Sequence, residues 1–318
     1  MKRNKKDYKP MDLTRLRVKS ITQRRSLVEV KDFARLAAPG CGFRQFERSL
    51  PNLLAARELR ALADEIARAA RRGRPVVAAI GAHVIKCGAS PLLIDLMKRG
   101  VISALATHGA GAVHDYEISL AGTTSEAVAA GLPNGEFGMA HETASGIATA
   151  AERGAQGAGL GRALGETILR DRNRWARYSL FATAAALKIP ATVHVAVGTD
   201  VVHMHPQISG AALGEASLVD FKILCAVVGD LDGGVWLNIG SAVILPEVFL
   251  KALSAARNLG HRVEDFCSAN LDMIQHYRPK TNVLLRPRGK GFAITGHHEI
   301  MLPMLRMMVL ERMGKARR

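Results

Sequence analysis

The strongest constraint on the fold is a pair of short apolar runs set one helix apart. Residues 75–81 (PVVAAIG) and 101–107 (VISALAT) carry no charge. Each is short for a helix and suits a strand buried on both faces. Between them, residues 81–91 read as a loop, and Ser90 caps a helix that runs through about Lys98. Strand–helix–strand at this spacing is a βαβ unit, which makes the two strands parallel with a right-handed crossover. The pattern continues downstream. Residues 190–198 and 235–239 read as strands, and 282–285 and 292–295 as shorter ones. Helices are expected over 53–70, from His141 onward, and over 173–187, 213–230, 247–259 and 299–312. The expected fold is α/β: a Rossmann-like, doubly wound, mostly parallel sheet with helices on both faces. With 48% hydrophobic residues but only 5% aromatic ones, the chain suits close helix-on-sheet packing. A β-sandwich, or a platform that stacks single-stranded bases, needs more rings than that.

In such sheets ligands lie at the carboxyl ends of the strands, so the turn after the second strand carries most chemical interest. Residues 106–122 read ATHGAGAVHDYEISLAG. The small residues Gly109, Ala110, Gly111 and Ala112 let a backbone approach a ligand. A helix starting near Val113 would offer free N–H groups to an anion such as a pyrophosphate. The polar cluster His114, Asp115 and Glu117 at the same rim would instead attract an ammonium group. Together they suggest a phosphate-bearing cofactor beside a cationic substrate.

Other chemistries find less support. No GxGxxG follows the first strand, no GKS or GKT loop is present, and no GxSxG elbow supports a hydrolase. His203-Met204-His205 would point two imidazoles the same way on a strand, with Asp200 or His194 as a third ligand. A polar pocket rim is the preferred reading, and no metal is assigned. Cys41, Cys87, Cys225 and Cys267 show no CxxC spacing, so neither a thiolate zinc site nor a disulfide framework is expected, and the chain reads as cytoplasmic. No apolar run of about 20 residues exists to span a membrane.

The net charge of +16 matters only once it is located. Residues 1–25 hold ten Lys/Arg against Asp7 and Asp12, half of the total excess. Residues 1–30 are therefore read as a basic arm, and 31–318 as a single α/β domain. A solvated arm that aids solubility or oligomer contacts is preferred, with nucleic-acid binding as the alternative.

Five segments, in order, resemble the deoxyhypusine synthase-like family over roughly residues 75–310. GAHVIKCGASPLLIDLMKRG resembles a segment that contacts NAD, implicating Cys87 and Gly88. ATHGAGAVHDYE resembles a motif whose paired acids bind NAD and the polyamine, implicating Thr107, Gly109, Gly111, His114, Asp115 and Glu117. VGTDVVHMHPQISG places Asp200 as a ligand-binding acid, with His205 close by. NIGSAVILPEVFLKAL resembles a triple-glycine turn, here Gly240, Ser241 and Ala242, with Glu247 in the substrate-binding region. GFAITGHHEIMLPML sets His297 and His298 where two residues touch adenosine.

The resemblance implies NAD as cofactor, an amine or polyamine substrate, and a homo-oligomer, a tetramer in that family. It also exposes a departure. The family's reactive lysine falls at Arg286 or Pro287, and arginine stays protonated and cannot form a Schiff base. Lys290 fits only after a three-residue shift. The sequence therefore points away from true deoxyhypusine synthase activity. The step Ala112-Val113-His114-Asp115, followed by Glu117, is also similar to a motif of short lysine-oxoglutarate/saccharopine-domain ornithine cyclodeaminases. That likeness implies Asp115 or Glu117 holding the substrate ammonium and His114 or Asp115 taking its proton. The reading is an NAD-dependent enzyme acting on a small amine, polyamine or diamino acid, by aminoalkyl transfer or by imine-forming deamination or cyclisation. A non-catalytic NAD-binding protein with a nucleic-acid-binding arm is the rival.

Overall fold

The computed structural model describes residues 7–314. Its centre is one six-stranded, all-parallel sheet in the order β3-β2-β1-β4-β5-β6. The strands are β1 (Val76–Ile80), β2 (Ala104–His108), β3 (Ala191–His194), β4 (Val235–Ile239), β5 (Cys267–Asp272) and β6 (Lys290–Thr295). In chain order the helices are α1 (Phe43–Ser49), α2 (Leu54–Arg71), α3 (Ala82–Lys86), α4 (Ser90–Lys98), α5 (Gly109–Ala121) and α6 (Val128–Gly131). After these come α7 (His141–Arg153), α8 (Leu160–Arg170), α9 (Leu180–Leu187), α10 (Gly210–Gly229), α11 (Ile244–Asn258) and α12 (His298–Met313).

The sheet is buried on both faces because its central strands are largely apolar; β1 and β4 are buried throughout. On one face, Val76, Ala78, Ile80, Leu237 and Ile239 pack with α2, α4 and α12. On the other, Val77, Ala79 and Trp236 meet α10 and α11. Trp236 stacks on Phe249 of α11 with ring centroids 4.2 Å apart, a contact worth about 1 kcal/mol beyond area burial. The amphipathic spacing in α2 buries Leu59, Leu62, Ala63 and Ile66, as expected for an outer helix.

The sequence expectations fail in instructive places. CSANLD forms β5, which the apolar-run criterion passes over. Ser268 and Asn270 are fully buried there, and their polar atoms are satisfied by the Val283 carbonyl, Asn238 and Gln275. The expected strand over 282–285 is instead part of the π-helical turn Pro279–Leu285; a four-residue apolar run does not distinguish the two. The expected loop after β1 contains α3, and Ala89 rather than Ser90 is the N-cap of α4. The expected helix over 173–187 is broken, with α8 ending at Arg170 and α9 starting at Leu180. Residues 7–31 are exposed throughout; the part of the basic arm before Asp7 lies outside the described residues. Among the described residues no helix is long and apolar enough to cross a membrane.

Candidate active site

Strand order reverses direction between β1 and β4, the sheet's switch point, where a doubly wound fold opens a crevice at the carboxyl edge. Here the two main chains touch. The Gly81 amide donates to the Ile239 carbonyl at 2.8 Å, and a Cβ on Gly81 would stand 2.0 Å from the Gly240 oxygen. Gly240 has φ +65°, and a Cβ there would meet His298 Nε2 at 2.6 Å. The His298 ring, buried in the first turn of α12, lies 6.0 Å from that of His83. Its Nδ1 has no hydrogen-bond partner, and burial holds its pKa below the ordinary imidazole value. Ser241 is buried and accepts from the Leu245 amide, holding the entry to α11. His297, the N-cap of α12, is exposed. Gly240, Ser241 and His298 thus lie together at the carboxyl end of β4.

A second group gathers one strand over. Helix α5 begins at Gly109, four residues before the expected start, and its N-terminus is already faced by a carboxylate. A Cβ on Gly109 would fall 1.9 Å from Asp200 Oδ2. The pyrophosphate expected at this helix end is therefore corrected, because the anion there belongs to the chain. Asp200 is 6% exposed, yet its Oδ2 has no hydrogen-bond partner. His203 Nε2 faces it from 3.8 Å, too far to donate. Burial lifts the Asp200 pKa above the usual carboxylate value, against the opposing effect of His203.

A cavity of about 240 Å³ opens beside it, lined among others by Lys86, His114, Glu117, Glu126 and Asp200. His114 Nδ1 lies 2.6 Å from Thr124 Oγ1, and that hydroxyl donates to Glu117 Oε2. The Thr124 proton is thus committed to Glu117, so His114 Nδ1 must be the donor in the other bond. Its Nε2 is left with a free lone pair. Thr143 Oγ1 donates to the other Glu117 oxygen at 3.2 Å. Burial raises the Glu117 pKa, but hydrogen bonding from His114, Thr124 and Thr143 outweighs it and the carboxyl sits below its ordinary value.

Several expected site residues have other employment. Asp115 is fully buried and turned away from the cavity. It accepts from Ser179 Oγ at 2.5 Å, the Leu180 amide at 2.7 Å and the Phe181 amide at 3.3 Å, which caps α9. The catalytic role expected of it is corrected to a positioning one. Burial pushes its pKa up to about 6 despite those three donors. Thr107 donates to the Ile80 carbonyl and fills the space a Cβ on Gly111 would need. Cys87 donates to Val84 O, its thiol pKa raised by burial, and Gly88 takes the left-handed turn that ends α3. Glu247 is paired with Lys251, Arg278 and Asn282. It borders neither the 240 Å³ cavity nor the wider depression of about 710 Å³ between α5 and α7.

His203-Met204-His205 lies in a 3₁₀ turn, so the two imidazoles do not share a face. His203 Nδ1 accepts from the Gly198 and Asp200 amides. His205 Nε2 donates to the Gly138 carbonyl at 2.7 Å. That bond, with the Gly138 amide donating to Glu126, ties the segment carrying Glu126 over the cavity. Lys290 starts β6 and pairs with Glu65, at the opposite, amino edge of the sheet. Six strand residues at about 3.3 Å each separate it from the carboxyl edge, so it cannot replace the missing lysine. Sequence reasoning misses Lys86, Thr124 and Glu126; the only signal for Lys86 is its place in the crossover after β1.

Compared with family sequence profiles and with curated protein sequences, the chain matches none. Solved structures share its fold. A conserved putative LOR/SDH protein from Methanococcus maripaludis S2 superposes with a TM-score of 0.52 at 17% identity, covering 81% of this chain and 70% of its own. A mutant of AgrE in binary complex with L-arginine superposes at 0.51 and 15% identity over 86% of this chain, which spans about a third of AgrE (34%). A further AgrE crystal, at 0.48 and 14% identity over 81% of this chain and 34% of its own, holds ornithine and NAD+. A putative deoxyhypusine synthase from Entamoeba histolytica scores 0.46 at 9% identity, covering 85% and 93%. These last two superpose too loosely to argue from. The first two establish the Rossmann-like architecture and nothing narrower.

Proposed function

We propose that this chain is an NAD-dependent enzyme acting on a small amine without a covalent lysine intermediate. The observation that carries the reading is Asp200: a buried carboxylate with one oxygen unpartnered, set against a 240 Å³ cavity at the carboxyl edge of the sheet. A buried acceptor without a donor is costly, and an ammonium group supplies three.

NAD, when bound, supplies a hydride acceptor. The switch point is where its adenosine half would be held: main chain is bare at Gly81 and Gly240, and the buried His298 Nδ1 beside them has no partner. Gly240, Ser241, His297 and His298 are the residues assigned to hold it. The amine nitrogen is received by the Asp200 carboxylate on the cavity wall. The proton it must lose goes to His114 Nε2, whose tautomer and orientation are fixed by Thr124 and Glu117 through the bonds described above. Glu117 thus acts through His114, and Asp115 acts only by anchoring α5 to α9. The segment tied by His205 covers the cavity and restricts water there.

The sequence resemblance to amine-oxidising enzymes agrees with this arrangement. Incubating the purified chain with NAD and putrescine, spermidine or ornithine should raise absorbance at the NADH wavelength, with a deaminated or cyclised product by mass spectrometry. Asp200→Asn should abolish amine binding while NAD binding persists. Absence of NAD binding in calorimetry would end the proposal. Borohydride trapping of an adduct on any lysine would refute the non-covalent route.

A further inference from the structure

We infer that Lys86 is a specificity-determining residue: it requires the substrate amine to carry an anionic group, a carboxylate, on the same small molecule. The inference rests on the amine reading above and adds a feature that reading does not contain. Lys86 ends α3 on the crossover leaving β1, and its side chain lines the same cavity as Asp200, His114, Glu117 and Glu126. Three carboxylates border this space, but they are not equivalent. Glu117 already accepts from Thr124 and Thr143, and Glu126 from the Gly138 amide. Of the three, Asp200 alone keeps an unpartnered buried oxygen.

The cation is in the complementary situation. Among the described residues no carboxylate lies within ion-pairing distance of Lys86, whereas other cations near the sheet's edges, such as Lys251 and Lys290, are paired. The cavity therefore presents carboxylates on one side and, in Lys86, a cation free of them. A molecule bearing only ammonium groups satisfies the first and is repelled by the second. A molecule bearing an ammonium and a carboxylate satisfies both, and the volume admits something of amino-acid size. A doubly charged arrangement of this kind selects by leaving a wrong ligand's partner unpaired, which discriminates more strongly than apolar fit.

The test uses the full chain with saturating NAD and isothermal calorimetry on two pairs of probes that differ only by the carboxylate: ornithine against putrescine, and lysine against cadaverine. The carboxylated member should bind on the order of tenfold or more tightly, the value of a charge-assisted hydrogen bond. Lys86→Met should erase that preference by weakening only the carboxylated probes, and Lys86→Arg should largely keep it. Circular dichroism and thermal midpoints confirm that each variant folds. Equal wild-type affinity for both members of each pair overturns the inference and leaves the amine reading standing. A Lys86→Met chain that loses NAD affinity but keeps the preference also overturns it, assigning the lysine to a cofactor phosphate. If no amine binds at all, the proposed function falls with it.

Discussion

Replacing Asp115 by asparagine separates a positioning role from a catalytic one, because the two roles predict opposite signatures. The side chain is fully buried and burial lifts its pKa from 3.8 to about 6. Between those values the folded chain binds more protons at this site than the unfolded one does, so stability falls as pH rises. The stabilising share is complete below the unfolded value near 4 and is lost as pH passes 6. A shift of roughly two units corresponds to about 3 kcal/mol. Asparagine has no such dependence, although it gives up one of the two acceptors that hold Ser179, Leu180 and Phe181, which costs about 1–3 kcal/mol at any pH. Urea unfolding at pH 4.5 and pH 8 should therefore show Asp115→Asn clearly less stable than the wild type at acid pH, with the gap narrowing by about 2 kcal/mol at alkaline pH. Asp220, another buried carboxyl raised to about 7, contributes equally to both proteins and cancels. Turnover per folded molecule should change little. An unchanged gap between the two pH values, together with a loss of turnover of about a thousandfold, would refute the positioning role.

Three further outcomes follow from the geometry. Gly109→Ala places a methyl on Asp200 Oδ2, and the displaced carboxylate should cost on the order of tenfold in amine affinity by calorimetry while NAD binding is spared. Gly81→Ala drives a Cβ into the Gly240 carbonyl, main chain against main chain; with little room to yield, it should lower stability by about 1–3 kcal/mol and weaken NAD binding in the same titration. Lys290→Gln removes a largely exposed pair with Glu65, so stability should move by no more than about 1 kcal/mol, and turnover should not change.

Much of the fold is readable from the chain because the strands that matter most announce themselves. In 75–81 and 235–239 a nearly unbroken apolar run is compatible with little besides burial. Strand β5 is hidden for the opposite reason: Ser268 and Asn270 look like turn residues, and only their partners Val283, Asn238 and Gln275, supplied by neighbouring elements, make their burial tolerable. The site is legible in part. The sequence locates His114 and Asp200 on the correct sheet edge, because both follow strands. It cannot say which way a helical side chain turns. Asp115 and His114, adjacent in sequence, share one expected cavity, although α5 sends one towards α9 and the other towards Thr124. Thr124 and Glu126 stand in a segment without periodicity, where no pattern indicates what lies across from them.

At Gly81 and Gly240 the base of the switch point is main chain, with the His298 ring packed against Gly240. Whatever rests there meets carbonyls and amides that point mutation elsewhere in the chain does not alter. Drift towards a new ligand must therefore be written in the side chains around it, at His83 and His298, while the main-chain base stays the same from one variant to the next.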